Sequence, residues 1–461
     1  MDLIMILKKY YSTNHISHSN SFKEILIQGQ APDKGLFMPT TIPRISPEAI
    51  SKLPGMSYPE IAFVVLNEFL KDEIAENDLR NLLEDAYNFD VPLEKISGQN
   101  FILRLDRGPT ASFKDFAARA MARLIYYFYR DPDKNLTILT ATSGDTGSAV
   151  ANAFFKLDGI NVFILFPKNE VSEKQRKQMT TLDHNVAAIA IDGKFDDCQA
   201  IVKRAFGDPE LSHLHLTSAN SINFGRLLAQ TVYYFYSYSR AAENGEQVIF
   251  SVPSGNFGDL MGGLLAKKMG LPVYKFIAAT NENDEFAKFL ETGQYQPITP
   301  SKNCISNAMN VGHPSNLARI IDLYGGQMDP DGTINQIPDM DSMRRDIFAI
   351  SITDDQTRQT IKDAYEKNRI ILEPHGAVAW AALEKFKAQD SKPAIAISLE
   401  TANPAKFPDE IEGILNIHPE IPGALKDLDS KKEFMQSLPA SYDSFKEFLV
   451  LKECGKGVCI I

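Results

Sequence analysis

The sequence predicts an α/β protein built on open parallel sheets, and three observations carry that expectation. The first is alternation. LTILTA (136–141) leads through a turn into the helical pattern GSAVANAFFKL, and NVFILFP (161–167) and VAAIAIDG (186–193) follow, the order of crossover units. The second is recurrence: QVIFSVP (247–253), PVYKFIAAT (272–280) and PAIAISLE (393–400) are further β-rich runs ending in turn residues, with helical stretches such as INFGRLLAQTVYYFYSYSRA between the two sets. The third is bulk. A chain of 461 residues, 44% hydrophobic and 23% charged, can bury the cores of two or three domains.

The elements sort by region. Residues 1–95, with loops and short helical stretches such as PEIAFVVLNEFL, are expected to form an N-terminal cap domain. Residues 96–130 with 240–461 are expected to form a large α/β domain, and 131–239 a smaller one. No repeat or low-complexity tract interrupts them.

A formal net charge of −11 argues against a general nucleic-acid or anionic-membrane surface, so an anionic substrate must be met by local cations. The opening MDLIMIL is too short to span a bilayer, and a cytoplasmic location is expected. Cys198, Cys304, Cys454 and Cys459 have no histidine cluster beside them, which points to reduced thiols rather than a zinc site. His15 with His18, and His213 with His215 in a short β-like run, are spaced as metal pairs without a third ligand, so no metal is expected.

GPTASFKDFAARAM (108–121) raises a chemical question. Read as a helix entered at Ser112, it places Lys114, Ala118, Met121 and Ile125 on one small, apolar face. Asp115 and Arg119, four apart on a neighbouring face, are expected to pair there and meet water. An ammonium on an apolar face either snorkels or is being desolvated for carbonyl chemistry, which lowers its pKa and frees the nucleophilic amine.

In open parallel sheets ligands bind beyond the carboxyl ends of the strands, and three turns there are unusual. SGNFGD (254–259) opens a helix with two glycines that let backbone N–H groups face an anion; the plain alternative is a tight strand-to-helix turn. TSGDTG (142–147) offers glycines and hydroxyls at another helix start, for a carboxylate or simply as a cap. At LETANPAKF (399–407) Pro404 ends a β-run, and alternation puts Glu400 and Thr401 on opposite sides.

SFKDFAARAM, ATSGDTG, PSGNFGD and TANPAKF, in this order, resemble the threonine synthase family, fold-type II pyridoxal phosphate enzymes related to the tryptophan synthase β subunit. The resemblance begins at YYSTN (10–14) and SFKEILIQGQAPDKGLFMP (21–39) and covers nearly the whole chain. It implies that Lys114 binds pyridoxal 5'-phosphate covalently and moves protons on the substrate. It implies that Gly255, Asn256, Phe257 and Gly258 hold the cofactor phosphate and that Thr401 lies near the pyridine nitrogen. Ser143, Gly144, Asp145 and Thr146 would hold the substrate carboxylate or the oxygen side of the ring.

The implied substrate is O-phospho-L-homoserine, converted with water to L-threonine and phosphate by γ-elimination and hydration at Cβ. The segment PKNEVSEKQRKQM (167–179) resembles the family's region near the substrate phosphate, and Lys168 and Arg176 are its candidate contacts beside Lys174 and Lys177. His375 in EPHGAVAW resembles a cleft-lining loop and is equally suited to a structural role. Four residues depart from the family pattern: Asn403 for a histidine, Glu400 for a small residue, Asn14 for an arginine and Lys34 for a glycine. A phospholyase releasing 2-oxobutyrate and ammonia, or a catalytically silent binding protein, are the alternatives. A small-molecule substrate, neither nucleic acid nor membrane, and a monomer with a homodimer as alternative complete the expectation.

Overall fold

The computed structural model describes residues 9–129, 135–243, 245–390, 392 and 395–454. The opening MDLIMIL, the first two residues of PAIAISLE, and Cys459 lie outside the described residues.

Apolar runs without alternation form the inner strands, because helices cover both faces of a parallel sheet. Val248–Pro253 and Ile160–Pro167 are buried at every position. The first is inside a six-stranded sheet whose order is Ile347–Ser351, Val273–Thr280, Val248–Pro253, Ile395–Glu400, Asn100–Arg104 and Leu93–Ser97. All neighbours are parallel except the last pair, an antiparallel hairpin. The second lies at the centre of a five-stranded parallel sheet ordered Met435–Pro439, Val186–Asp192, Ile160–Pro167, Leu136–Ala141 and Leu216–Ser218.

Met435–Pro439 therefore pairs with Val186–Asp192, so this part of the C-terminal segment joins the sheet built from 136–218 instead of the larger sheet with which 240–461 was grouped. The helix Tyr442–Cys454 follows it, placing Phe445 and Leu449 in one apolar cluster with Ile201 and Val202. MQSLP is an exposed edge strand, without the apolar run that marks an inner one.

The N-terminal region shares the main core. A three-stranded antiparallel sheet (Tyr10–Ser12, His18–Ser19, Phe37–Pro39) precedes the helix Tyr58–Leu70, whose start is fixed by reciprocal capping between Ser57 and Glu60. Tyr58 packs at 5.2 Å from Phe116 and 5.1 Å from Tyr236, and Phe69 at 6.1 Å from Phe224. These contacts seat the region on the helices Lys114–Phe128 and Phe224–Ala241.

Two local expectations change. Asp115 and Arg119 neither pair nor meet water, because their helix is enclosed. Asp115 is fully buried and accepts from the Thr110 N–H and hydroxyl at 2.8 and 2.7 Å, while Arg119 donates to the carbonyls of Ala86 and Asp85 at 2.6 and 2.7 Å. His213 lies in a 3-10 turn and His215 takes a left-handed φ of 47°, so the strand starts only at Leu216. Lys34 occupies a position with φ 67°, a region glycine enters at no steric cost.

The helix Pro374–Gln389 starts at the cavity described below, and Glu373 caps it by accepting from the N–H groups of His375 and Gly376 at 2.8 and 2.9 Å. Glu400 lies under this cap, fully buried. Its Oε1 accepts the Glu373 N–H at 2.8 Å, and its Oε2 has no hydrogen-bond partner. A Cβ on Gly376 would fall 1.7 Å from that Oε2, so glycine is what lets Glu400 fit. Burial, then the neighbouring Glu373 carboxylate, pushes the Glu400 carboxyl well above the usual range.

An acid whose pKa is raised by folding destabilises the fold as pH climbs past its unfolded value of about 4.3, because folding must then take up a proton. Glu400→Gln removes that requirement at nearly constant volume. Its stability relative to wild type should rise between pH 4 and 7 by up to about 1.4 kcal/mol per pH unit and converge at lower pH. Urea titrations across that range check this, and parallel pH profiles would show Glu400 ionised in the folded protein.

Candidate functional site

Three loops at the carboxyl ends of strands converge with the start of the helix Lys114–Phe128 to enclose one cavity. Residues 142–146 follow Leu136–Ala141, 254–258 follow Val248–Pro253, and Thr401 follows Ile395–Glu400. Lys114, Ser143, Asp145, Thr146, Gly255, Asn256, Phe257, Gly258 and Thr401 all line it, so most of the residues singled out from the sequence meet here. Gly144 sits in the same turn with φ 129°, and a Cβ there would meet Gln175 at 2.5 Å.

Lys114 is the first residue of its helix, so its side chain projects from the N-terminal end toward the cavity. Its Nζ lies 4.5 Å from the centroid of the Phe113 ring and 4.0 Å from Asp145 Oδ2, too far for a hydrogen bond. Burial pushes the amine down to about 8; Arg226 and Lys406 act in the same direction, while Asp145 and Asp259 oppose it. An amine in that range carries a useful fraction of its neutral, nucleophilic form at physiological pH.

The 254–258 loop is a cradle of backbone donors. No acceptor among the described residues meets the N–H groups of Gly255, Asn256, Phe257 or Gly258, which stand at the start of the helix Gly258–Lys268. Phe257 has a left-handed φ of 57°, and a Cβ on Gly255 would lie 2.9 Å from the Met309 Cα, so the loop needs its first glycine. The Asn256 side chain turns away from the cradle and accepts the Ser315 N–H at 3.0 Å. Behind it Asn316 donates to the Asn256 carbonyl at 3.0 Å and is held by the buried Arg319 at 2.6 Å. Asp259, one residue on, is pushed up to about 7 by burial.

In the 142–147 loop, Thr142 Oγ1 accepts the N–H groups of Gly144 and Gly147 at 2.9 and 2.8 Å, leaving those of Ser143, Asp145 and Thr146 without partners among the described residues. The Asp145 carboxylate is otherwise engaged. It accepts from Lys406 Nζ at 2.5 Å and Gln175 Nε2 at 3.0 Å. What this loop can offer a carboxylate ligand is its backbone N–H groups and the Ser143 and Thr146 hydroxyls, not the Asp145 carboxylate.

On the third side, Thr401 Oγ1 lies 3.2 Å from Glu373 Oε1, and the other oxygen of Glu373 meets the His375 Nδ1. His375 Nε2 accepts the Ala308 N–H at 3.1 Å, so Nδ1 carries the ring hydrogen and donates to Glu373. Glu373 collects four donors, which commits the Thr401 hydrogen to it and leaves Thr401 a lone pair for the cavity. Asn403 spans the site's rear, donating to Asp106 at 2.9 Å and capping Ala405 at 3.0 Å, a task an amide performs without titrating.

Lys168 and Arg176 do not line the cavity. Lys168 is exposed beyond the strand Ile160–Pro167, and Arg176 forms a two-pronged ion pair with Glu433 at 2.9 and 3.0 Å. Lys174 and Lys177 meet Asp429 at 2.5 and 3.0 Å, so the basic side of this helix faces the C-terminal segment. The buried Gln175 and Gln178 turn toward the site instead.

The cavity's unassigned cation is Arg226, 2% exposed, pushed down to about 10 by burial, with one hydrogen bond among the described residues, to the Ala219 carbonyl at 2.7 Å. Asn220 and Ser221 flank it on the cavity wall. The signal that exposes Lys114 also marks Arg226: a charge in the first turn of the otherwise apolar pattern INFGRLLAQ. A broader cleft adjoins the cavity, sharing Ala141, Asn220, Ser221 and Asn256 with it and lined at its outer part by Asn14, Lys34, Lys203 and Arg204. Two of the four departures from the family pattern thus sit in one approach cleft. Among the described residues no group of three metal-ligating side chains forms and no helix is long and apolar enough to cross a membrane.

A desolvated amine facing a cradle of free N–H groups suits a cofactor that carries both an aldehyde and a phosphate, and pyridoxal phosphate fits the residues present. The family described as pyridoxal-phosphate dependent enzymes matches residues 90–399, the threonine synthase N terminus matches 9–87, and the threonine synthase C-terminal region matches 376–449. The threonine synthase of Serratia marcescens is 38% identical over 96% of this chain and 99% of its own. The crystal structure of pyridoxal phosphate-bound threonine synthase from Brucella melitensis superposes with a TM-score of 0.89 at 35% identity, covering 96% of this chain and 98% of that one. The yeast threonine synthase structure gives 0.87 at 33% identity, over 98% and 99%. Matched over nearly its whole length by family models and by relatives at 33–38% identity, the chain belongs to the threonine synthase family of pyridoxal phosphate enzymes.

Proposed function

We propose that the protein converts O-phospho-L-homoserine and water to L-threonine and phosphate with pyridoxal phosphate bound at Lys114. The observation that carries this is one cavity holding a desolvated lysine and two separate places suited to a phosphate: the 255–258 cradle, and the buried Arg226, which has no carboxylate partner among the described residues. A cofactor phosphate and a substrate phosphate need both. Pyridoxal phosphate, when bound, supplies an electron sink for charge developing at the substrate's α carbon.

The chain's own groups do the rest. The N–H groups of Gly255, Asn256, Phe257 and Gly258 would hold the cofactor phosphate, and Thr401, its hydrogen committed to Glu373, would keep a lone pair for the pyridine nitrogen. Ser143, Gly144, Asp145 and Thr146 take the substrate carboxylate through their backbone, Gly144 by the tight turn it permits. Arg226, with Asn220 and Ser221 beside it, takes the substrate phosphate and stabilises it as it leaves. Lys114, free to gain or lose a proton near neutral pH, removes the α and then the β proton and returns one when water adds.

Lys34, Lys203 and Arg204 along the approach cleft supply the local cations that an acidic protein needs to attract a doubly charged substrate. The free, buried Cys198 and Cys304 fit a cytoplasmic protein.

Supplied with O-phospho-L-homoserine in oxygen-18 water, the protein should release threonine labelled in its hydroxyl, in large excess over 2-oxobutyrate. Mass spectrometry of the products decides: 2-oxobutyrate with stoichiometric ammonia would make it a phospholyase, and no phosphate release would make it a binding protein. Borohydride should fix the cofactor to the Lys114 peptide. Arg226→Met should lower kcat/KM about 10- to 100-fold, the range of a lost charge-assisted contact, while cofactor fixation at Lys114 persists. Loss of fixation would instead assign Arg226 to the cofactor phosphate.

A further inference from the structure

We infer that Lys406 is a positioning residue that holds the Asp145 carboxylate across the join between the two sheets and so keeps Asp145 from becoming the counter-ion of Lys114. The inference deepens the proposed role of Lys114 and rests on it for its consequence in catalysis.

The geometry is specific. Lys406 is fully buried behind the third loop, with its Nζ 2.5 Å from Asp145 Oδ1 and 3.1 Å from the Thr110 carbonyl. Asp145 is 2% exposed and begins a helix of the smaller sheet's layer. Its Oδ1 also receives Gln175 Nε2 at 3.0 Å, while its Oδ2 stands 4.0 Å from Lys114 Nζ. One buried carboxylate thus lies between the fully buried Lys406 and the part-buried Lys114, in hydrogen-bond contact with the first and out of reach of the second. A carboxylate at these depths must find a cation, and without Lys406 the nearest is Lys114. Closing that 4.0 Å gap would draw a proton onto the amine that has to be free of one.

The surrounding charges act in the same sense. Asp145 is held well below the usual carboxylate range against the opposing effect of burial, by Lys406 first and then by Lys114. Around Lys114, Arg226 from the helix Phe224–Ala241 and Lys406 push the proton off, whereas Asp145 and Asp259 pull it on. His375 from the helix Pro374–Gln389 faces Asp145, and Asp115 faces Lys406 across Thr110. With Lys406 present, Asp145 fixes the loop of the smaller sheet against the larger sheet's loop without charging the amine.

The test reads the amine directly. Cofactor-free protein is treated with trace acetic anhydride from pH 6 to 10, and acetylation of Lys114 is quantified by peptide mass spectrometry. The wild-type midpoint is expected near 8. Lys406→Met should move it up by about one pH unit, which lowers the rate at pH 8 about fivefold, and Lys406→Arg should restore it. Asp145→Asn should move the midpoint down, and removing Lys406 in that background should shift it by much less than about one pH unit, because no carboxylate is left for Lys406 to hold. A folded Lys406→Met protein with an unchanged or lower midpoint overturns the inference. If that variant does not fold, a difference of about a full pH unit between Asp145→Asn and the double variant overturns it, because Lys406 would then act on the amine without Asp145. Borohydride fixation of the cofactor on a different lysine would overturn the role of Lys114 in catalysis while leaving these midpoints interpretable on their own.

Discussion

The organisation of this protein turns on keeping one lysine amine dry. Desolvating Lys114 lowers its affinity for a proton, yet the wall that does so also holds Asp145, Arg226 and Asp259, with Lys406 just behind it. Ions out of water cost several kcal/mol each unless they are paired or well hydrogen-bonded. The site meets that cost unevenly. Asp145 and Lys406 compensate each other, Asp259 drifts toward its neutral form, and Arg226 is left with a single carbonyl. A buried guanidinium without a carboxylate partner among the described residues is tolerable where an anionic ligand completes it, which is why the proposed substrate phosphate is assigned to it.

The same requirement explains why the two sheets are joined so closely at this point. Gln175 reaches Asp145 and also accepts from Asn307, Gln178 donates to the Thr110 carbonyl, and Lys406 bonds both Thr110 and Asp145. The basic side of the helix carrying Gln175 is bound to Asp429 and Glu433, just before the chain adds its last strand to the smaller sheet. The C-terminal segment thereby fixes the orientation of that helix, with its amides toward the cavity and its ammonium groups outside. Charges that look like phosphate ligands in the sequence are structural for this reason.

A second support lies under Thr401. Glu373 caps one helix, orients His375 and holds the Thr401 hydroxyl, while Glu400 sits beneath as a buried acid that exists only because residue 376 is glycine. The departure at Glu400 thus acts through the cap, and the alternation that turns Thr401 toward the cavity turns Glu400 away from it.

Much of the fold and part of the site were legible in the sequence because they follow from short-range rules. Continuous apolar runs give inner parallel strands, helical spacing isolates Lys114 on an apolar face, and glycines before helix starts mark backbone cradles. The resemblance in motifs extended these to a cofactor and a substrate. Long-range pairing decided the rest. That Arg176 meets Glu433, that Met435–Pro439 joins the smaller sheet, and that Lys406 binds Asp145 join residues 257, 247 and 261 positions apart or nearly so. Periodicity states which face of an element is apolar but not which distant side chain will stand opposite it, and the charge state of a buried group is set by what stands opposite.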